Sequence, residues 1–162
     1  MSESLENFTN IVKEDIKEAK TLFFSEAFKE EYLKDRREEK ELYHQLLLGR
    51  NRNQILEEFL LSSGQKKPVL LSAAKTIYQA TIMNLDEPLE IKVKREGWGY
   101  LVGRIKSDGT FLSLHKNTFQ AEDFEDGTLT IYADMKTIPK DGDIDHLIIQ
   151  TVYQTLQIEV VY

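Results

Sequence analysis

The spacing of apolar residues divides the chain into two parts. In the first part, apolar residues recur every three or four positions, which places them on one face of an α-helix. One stripe consists of Leu5, Phe8, Val12, Ile16, Ala19 and Phe23, and a second runs from Ala27 or Phe28 through Tyr32 to Leu42, Leu46 and Leu47. The pattern predicts two long helices.

Capping residues set the expected limits of these helices. Ser2 or Ser4 precedes the first stripe and has the side chain of an N-cap. Gly49 follows the second stripe, where glycine commonly ends a helix in left-handed backbone. Asn53 is a suitable N-cap for a third, short helix from Gln54 to Leu61. The first part is therefore expected to be helical throughout.

After Pro68 the period shortens to two, which is typical of half-buried strands. Alternation of this kind covers Leu89–Lys94, Leu101–Lys106, Leu112 with Leu114, Leu129–Ala133, Leu147 with Ile149, and Leu156–Val160, and further strands are expected near Val69–Leu71 and Thr76–Met83. The turn triplets Ser107–Gly109, Glu125–Gly127 and Asp141–Asp143 separate several of them. Seven or eight strands without an intervening helix predict an antiparallel β-sandwich.

The predicted fold class is therefore α+β, with an N-terminal helical segment followed by a β-sandwich. We expect residues 1–65 to form the helical segment, with two long helices and one short one, and residues 68–162 to form the sandwich. The run Ser62–Pro68 between them is polar, so we expect a flexible junction and a separate helical unit.

A cluster of glycines surrounds the single tryptophan, Trp98, in the spacing G-x-G-x-x-x-G from Gly97 to Gly103. A dinucleotide-binding loop lies between a strand and a helix, whereas here a strand follows. The glycine loop of protein kinases lies between strands, but its third glycine falls one residue earlier, and no H-R-D or D-F-G motif follows. We interpret the cluster as a bend of the sandwich, with its amides in the strand ladder and Trp98 buried as an anchor.

The second part resembles bacterial immunoglobulin-like repeats. The matching residues are Gly97, Gly99, Leu101, Gly103 and Ile105 in one strand, Ser107, Asp108, Phe111, Leu112 and Leu114 in a hairpin, and Leu147, Ile149 and Thr151 in the closing strand. Phe111 replaces the usual tryptophan and Asp145 the usual glycine. The resemblance covers about Pro68 to Tyr162 and leaves the helical part unrecognised. It implies an immunoglobulin-like sandwich that serves as an adaptor or spacer and has no active site.

Composition excludes several classes of function. The net charge of −7, from 21 basic and 28 acidic residues, argues against nucleic-acid binding, which needs a concentrated basic surface. The absence of cysteine excludes disulfides and thiolate metal sites. The apolar runs are too short for membrane insertion. The first residues have neither the basic nor the apolar region of a signal peptide, which favours a cytoplasmic location.

Candidate metal and catalytic residues are few. The histidines are His44, His115 and His146, and the last two are expected on strands, where they could meet across a sheet. Two histidines alone do not make a zinc site. The run Asp141–Asp145 imitates the start of a calcium loop but has His146 where that loop has glycine, so we expect an acidic hairpin turn. No catalytic, cofactor-binding or metal-binding residue is predicted, and the chain is expected not to be an enzyme.

The sequence leaves two hypotheses for the function. The first is a non-catalytic interaction or spacer module of a larger bacterial protein, whose partner is another protein or the neighbouring domains of the same chain. The alternative is a carbohydrate- or peptide-binding module that uses exposed aromatic side chains of the sandwich, namely Trp98, Tyr100, Tyr132 and Tyr153. Packing within the core is the competing interpretation of these four residues. The pattern does not indicate an oligomeric state.

Overall fold

A computed structural model describes residues 4–162, which contain five helices followed by nine strands. The helices are α1 (Leu5–Glu14), α2 (Ile16–Phe23), α3 (Ala27–Tyr32), α4 (Arg37–Leu46) and α5 (Arg52–Ser62). The strands are β1 (Leu70–Ala73), β2 (Ile77–Gln79), β3 (Leu89–Glu96), β4 (Val102–Ser107), β5 (Leu112–Leu114), β6 (Thr118–Gln120), β7 (Thr128–Met135), β8 (Ile144–Gln150) and β9 (Thr155–Val161). The predicted α+β class is confirmed.

The helical part has five short helices where two long helices and one short helix were expected. Asp15 divides the first stripe, because its backbone is extended and its carboxylate accepts hydrogen bonds from the Lys17 and Glu18 N–H groups, both at 3.1 Å. Its own N–H still makes a helical hydrogen bond to the carbonyl of Ile11, and the extended backbone at Asp15 then ends α1. Ile16 is exposed as a result, whereas the other members of the stripe are buried.

Two of the expected caps also differ. Asn51, not Asn53, caps α5, since its side-chain oxygen accepts a hydrogen bond from the Gln54 N–H at 3.1 Å. Gly49 does not have left-handed backbone. Ser4 caps α1 as expected, with its hydroxyl accepting from the Asn7 N–H at 3.1 Å, while Ser2 lies outside the described residues.

Aromatic rings form the centre of the helical core. They are Phe8, Phe23, Phe28, Tyr32, Tyr43 and Phe59, with neighbouring centroids 4.8–6.1 Å apart. Tyr43 is buried among them, and its hydroxyl donates to the carbonyl of Phe23. Burial raises the pKa of Tyr43 above its ordinary value of 10.0, because the phenolate would lose its hydration.

Tyr43 is therefore expected to make the chain sensitive to alkali. Above pH 10 its unfolded form ionises while its folded form stays protonated, so the free energy of unfolding falls as the pH rises towards the raised pKa. Urea titrations between pH 9 and 11 measure this fall. In Tyr43→Phe the fall should be smaller, since phenylalanine does not ionise. An equal fall in both proteins would contradict the prediction.

The strands form the two sheets of a sandwich, with orders β1-β3-β7-β5 and β2-β9-β8-β4-β6. Every strand pair in these sheets is antiparallel except β2 with β9, which is parallel. Inward-facing apolar residues of both sheets, such as Ile91, Ile131, Leu147 and Ile158, fill the core. The expected strand Thr76–Met83 is shorter than predicted, since Asn84 accepts a hydrogen bond from the Thr81 N–H and a 3₁₀ turn occupies Ile82–Leu85.

The chain divides into two compact units. One is Met1–Pro68 with Trp98–Tyr100, and the other is Val69–Gly97 with Leu101–Tyr162. In the predicted junction, Gln65 donates its N–H to the Leu60 carbonyl and the Lys66 side chain is buried in the helical unit. The division into a helical segment and a separately folding sandwich joined by a flexible junction stays a prediction.

The sandwich has two ends, which we name after Val69 and Tyr162. The pairing of Leu70 with Glu96 places the start of β1 at the Val69 end, where β3 finishes and β4 starts. The pairing of Ile144 with Val161 places the start of β8 and the finish of β9 at the opposite end. There Tyr162 donates its N–H to the Asp143 carbonyl at 2.9 Å. The sandwich thus begins at one end and reaches Tyr162 at the other.

Candidate functional site

The glycine cluster lies in the connection between the two sheets of the sandwich. Gly97 and Gly99 have φ values of 98° and 109°, in the region that favours glycine. They connect β3 of one sheet to β4 of the other, so the predicted bend is confirmed. The expectation that all the amides belong to the ladder is wrong, because residues 97–101 lie outside the strands.

Gly103 has a different role, since it lies within β4. A Cβ atom there would overlap the ring of Phe119 and would lie 2.7 Å from the carbonyl oxygen of Gln150. The close approach of β4 to these two neighbours therefore requires glycine at this position.

Replacing Gly103 by alanine should reduce the free energy of unfolding by about 1–3 kcal/mol, because the ring and the backbone must both move. Chemical denaturation measures the loss. Val102→Ala, at an exposed position of the same strand, is the control and should change stability by less than about 0.5 kcal/mol. Adding Phe119→Leu to Gly103→Ala should not restore full stability, since the Gln150 carbonyl remains. Wild-type stability of Gly103→Ala would contradict the prediction.

Trp98 was predicted to be a buried anchor of the bend in the sandwich. It instead belongs to the helical unit and packs against the core of that unit. Its ring is half-buried against the helical core, with the ammonium nitrogens of Lys66 and Lys13 at 4.4 and 5.0 Å from the ring centroid. These are cation–π distances. Its carbonyl accepts a hydrogen bond from Lys66 Nζ. Trp98 is thus held by both its side chain and its backbone.

The same ammonium group forms a buried ion pair with Glu57. The side chains of Lys66 and Glu57 are 1% and 3% exposed. Charged groups this deeply buried are stable only when paired and hydrogen-bonded. Sequence reasoning missed this pair, because Lys66 stands in a polar run and Glu57 in an apparently amphipathic helix.

The four candidate aromatic residues are divided between the two units. Trp98 and Tyr100 belong to the helical unit, where the Asn51 amide nitrogen donates to the Tyr100 hydroxyl at 3.2 Å. Tyr132 lies on β7 of one sheet, and Tyr153 lies in the turn after β8 of the other. Within the sandwich, Tyr132 and Tyr153 therefore belong to different sheets, and ligand binding by the four residues stays a prediction.

Tyr132 is nevertheless the most exposed of the four, at 41%. Its ring stacks on that of His115, with centroids 5.9 Å apart, and His115 Nε2 lies 2.8 Å from Asp134. Both rings line an open trough of about 710 Å³, along with Lys92 and Lys94. Lys116 and the acidic residues Glu122, Asp123, Glu125 and Asp126 also line it, so the trough joins a flat ring surface to charges of both signs.

The expectation that His115 and His146 could meet across a sheet is wrong. His115 follows β5 and His146 lies on β8, which belong to different sheets. His146 instead lies between two carboxylates, with Nδ1 at 2.6 Å from Asp108 and Nε2 at 3.8 Å from Glu159. Among residues 4–162, no group of three or more histidine or acidic side chains is arranged to hold a metal ion.

Within the acidic run Asp141–Asp145, Asp145 has a structural role. It is fully buried and accepts hydrogen bonds from the N–H groups of Asp108, Phe111 and Leu112 at 3.0–3.1 Å. These three donors lie in the connection between β4 and β5 and at the start of β5. The hairpin predicted there is not formed, because β4 and β5 belong to different sheets. The period of two could have indicated its burial, because Asp145 lies on the same inward face of β8 as Leu147 and Ile149.

Comparison with solved structures gives only distant similarity. The apo-form Calx CBD1 domain has a TM-score of 0.39 and 12% identity, over 57% of this chain and 96% of that one. The E. coli chaperone DraB has 0.40 and 7%, over 57% and 53%. Domains 4 and 5 of the S-layer protein SbsC have 0.38 and 10%, over 57% and 50%.

Comparison of the sequences gives a family. No curated protein matches the chain. None of the helices in the described part of the chain has both the length and the apolar content needed to cross a bilayer. A family model described as "Family of unknown function (DUF5717) N-terminal" matches residues 2–162 and so includes the helices that the immunoglobulin-like resemblance left out. The chain belongs to the DUF5717 N-terminal family.

Proposed function

We propose that this chain is a non-catalytic interaction or spacer module of a larger bacterial protein. The observation that carries the proposal is the position of the two ends of the sandwich, since β1 starts at the Val69 end and Tyr162 lies at the opposite end. A module of this form holds the regions on its two sides apart by about the length of its strands. Eight-residue strands such as β7 span roughly 25 Å.

Buried and half-buried polar side chains are used to hold the fold. Asp145 holds the connection between β4 and β5. Gln154 both accepts a hydrogen bond from the Leu71 N–H and donates one to the Leu71 carbonyl. Lys66 and Glu57 neutralise each other inside the helical unit. This use of polar groups favours a structural module over an enzyme.

Double electron–electron resonance, which measures the distance between two spin labels, tests the spacer role. The chain has no cysteine, so spin labels attach only to cysteines introduced at Val152, in the turn at the Val69 end, and at Ile138, before β8 at the Tyr162 end. Both positions are exposed. A single narrow distance distribution is expected, and it should stay unchanged when further regions of the protein are attached. A broad distribution would contradict a rigid spacer.

Recognition of a carbohydrate is the second candidate, and the trough beside Tyr132 and His115 is the observation that favours it. The lining contains lysines and carboxylates, so its charge does not favour an acidic sugar over a neutral one. Tyr132→Ala should abolish binding of an oligosaccharide measured by calorimetry, because the sugar loses the aromatic face on which it packs. Tyr153→Ala, on the other sheet, is the control and should bind normally. Equal binding by both variants, or no binding by the wild type, would remove this candidate.

A further inference from the structure

β1 is an edge strand of the sandwich, with β3 on one side and no strand of its sheet on the other. Ala74, directly after β1, donates its N–H to the Lys92 carbonyl of β3 at 3.1 Å. The N–H and C=O groups of successive residues alternate between the two sides of an antiparallel strand. Those of Leu71, three residues earlier, therefore point away from β3, towards the open side of the sheet.

The side-chain amide of Gln154 occupies this open side. Its Oε1 accepts a hydrogen bond from the Leu71 N–H at 2.6 Å, and its Nε2 donates one to the Leu71 carbonyl at 2.9 Å. Two residues that face each other in antiparallel strands exchange the same two bonds. Gln154 thus takes the place of one residue of a neighbouring strand, although it lies in the turn between β8 and β9 of the other sheet.

Thr151 fixes the backbone of Gln154 in this turn. The Thr151 N–H donates to the Gln154 carbonyl at 2.9 Å, and the Thr151 hydroxyl accepts the Gln154 N–H at 3.2 Å. Thr151 is itself buried, which anchors the turn on the sandwich. The backbone and the side chain of Gln154 are therefore both hydrogen-bonded, and its amide is held at the edge of β1.

The sequence of β1 lacks the usual protection of an edge strand. Charges, prolines and very short strands keep most edges from pairing with other chains. The run Val69–Ala74 reads V-L-L-S-A-A, without a charge or a proline. β1 has four residues, whereas the strands at the other edges of the two sheets, β2, β5 and β6, have three each. The Gln154 amide is therefore the group that protects this edge at Leu71.

We propose that Gln154 prevents β1 from pairing with β1 of a second copy of the chain. Without the amide, Leu71 presents a donor and an acceptor on the same side, and a partly buried N–H group needs a partner. Two antiparallel β1 strands related by a twofold axis place the two Leu71 residues opposite each other, where they exchange both bonds. This inference concerns association of the chain and does not depend on the proposed module function.

Sedimentation velocity of Gln154→Ala over a range of protein concentrations tests the proposal. The variant is expected to dimerise reversibly, with a dissociation constant about tenfold or more below that of the wild type, since the dimer recovers hydrogen bonds that the monomer has lost. Hydrogen exchange gives a local readout. The Leu71 amide should be protected at every concentration in the wild type, whereas in the variant its protection should increase with concentration.

Matched variants separate edge pairing from a loss of stability. Gln154→Glu keeps an acceptor for the Leu71 N–H but loses the donor and places a charge at the edge, so it should be less stable than the wild type and yet not dimerise. Leu70→Lys, at a position that is 45% exposed, should abolish the dimerisation of Gln154→Ala without restoring either bond. Gln157→Ala, at an exposed position on β9, is the control and should sediment as the wild type does.

Near-ultraviolet circular dichroism establishes that each variant is folded. If Gln154→Ala is unfolded, Gln154→Met takes its place in the same comparison, because it keeps the bulk of the side chain and removes both bonds. A folded variant that associates no more than the wild type would overturn the proposal. Association that Leu70→Lys leaves unchanged, or that Gln154→Glu shows equally, would also overturn it, because such association does not run through β1.

Discussion

Glu57→Gln is expected to destabilise the helical unit by about 3–5 kcal/mol, because it leaves the buried ammonium group of Lys66 without its counter-charge. The two side chains are 3% and 1% exposed, so water cannot take the place of the lost carboxylate. A loss of this size is a large part of the stability of an ordinary domain. Urea denaturation followed by circular dichroism at 222 nm, which reports mainly on the helices, measures the effect.

Neighbouring residues of the same types supply the controls. Glu58→Gln and Lys67→Met change a half-buried and an exposed position and should each cost less than about 1 kcal/mol. Glu57→Leu combined with Lys66→Met should recover part of the loss, since an apolar pair no longer requires compensation of charge. If Glu57→Gln and Glu58→Gln had equal stability, the ion pair would not stabilise the helical unit.

Asp145→Ala is expected to destabilise the sandwich by at least about 3 kcal/mol, because three backbone N–H groups lose a charged acceptor inside the protein. Two of these donors, Phe111 and Leu112, are themselves buried. The connection that joins β4 of one sheet to β5 of the other then loses its hydrogen bonds to β8. Near-ultraviolet circular dichroism and the urea midpoint measure the loss.

The control lies in the same acidic run. Asp141→Ala removes an exposed carboxylate, for which no hydrogen bond to the β4–β5 connection is seen among the described residues. The free energy of unfolding should therefore change by less than about 0.5 kcal/mol. If calcium stabilised the wild type but not Asp141→Ala, the acidic run would bind a cation and the structural interpretation would be incomplete.

The strands with one buried and one solvated face were predictable from sequence. β3, β7 and β9 alternate apolar and polar residues along most of their length, and this alternation reports on burial. β8 alternates in burial but not in residue type, since Asp145 is buried on it and Ile144 is exposed. β6 has three residues, too few for a period to appear. The parallel pairing of β2 with β9 was also missed, because a pattern within one strand does not specify its partner.

The remaining errors concern polar residues whose roles depend on distant partners. Asp15 ends one helix and starts another through local hydrogen bonds that compete with a continuous helix. Lys66 is buried because Glu57 and the Trp98 carbonyl surround it. The periodicity of apolar residues shows neither the local hydrogen bonds of Asp15 nor the distant partners of Lys66.

The parallel pair of β2 and β9 determines the order in which the sandwich can assemble. Ile77 pairs with Glu159, so β2 cannot form this pairing during synthesis until β9, the last of the nine strands, has left the ribosome. The pairs β8–β9 and β4–β8 are closer in sequence and can form earlier. Closing such distant contacts is slow, and until β9 is available the unpaired β2 is open to pairing with other chains. Aggregation during folding is therefore expected to involve β2.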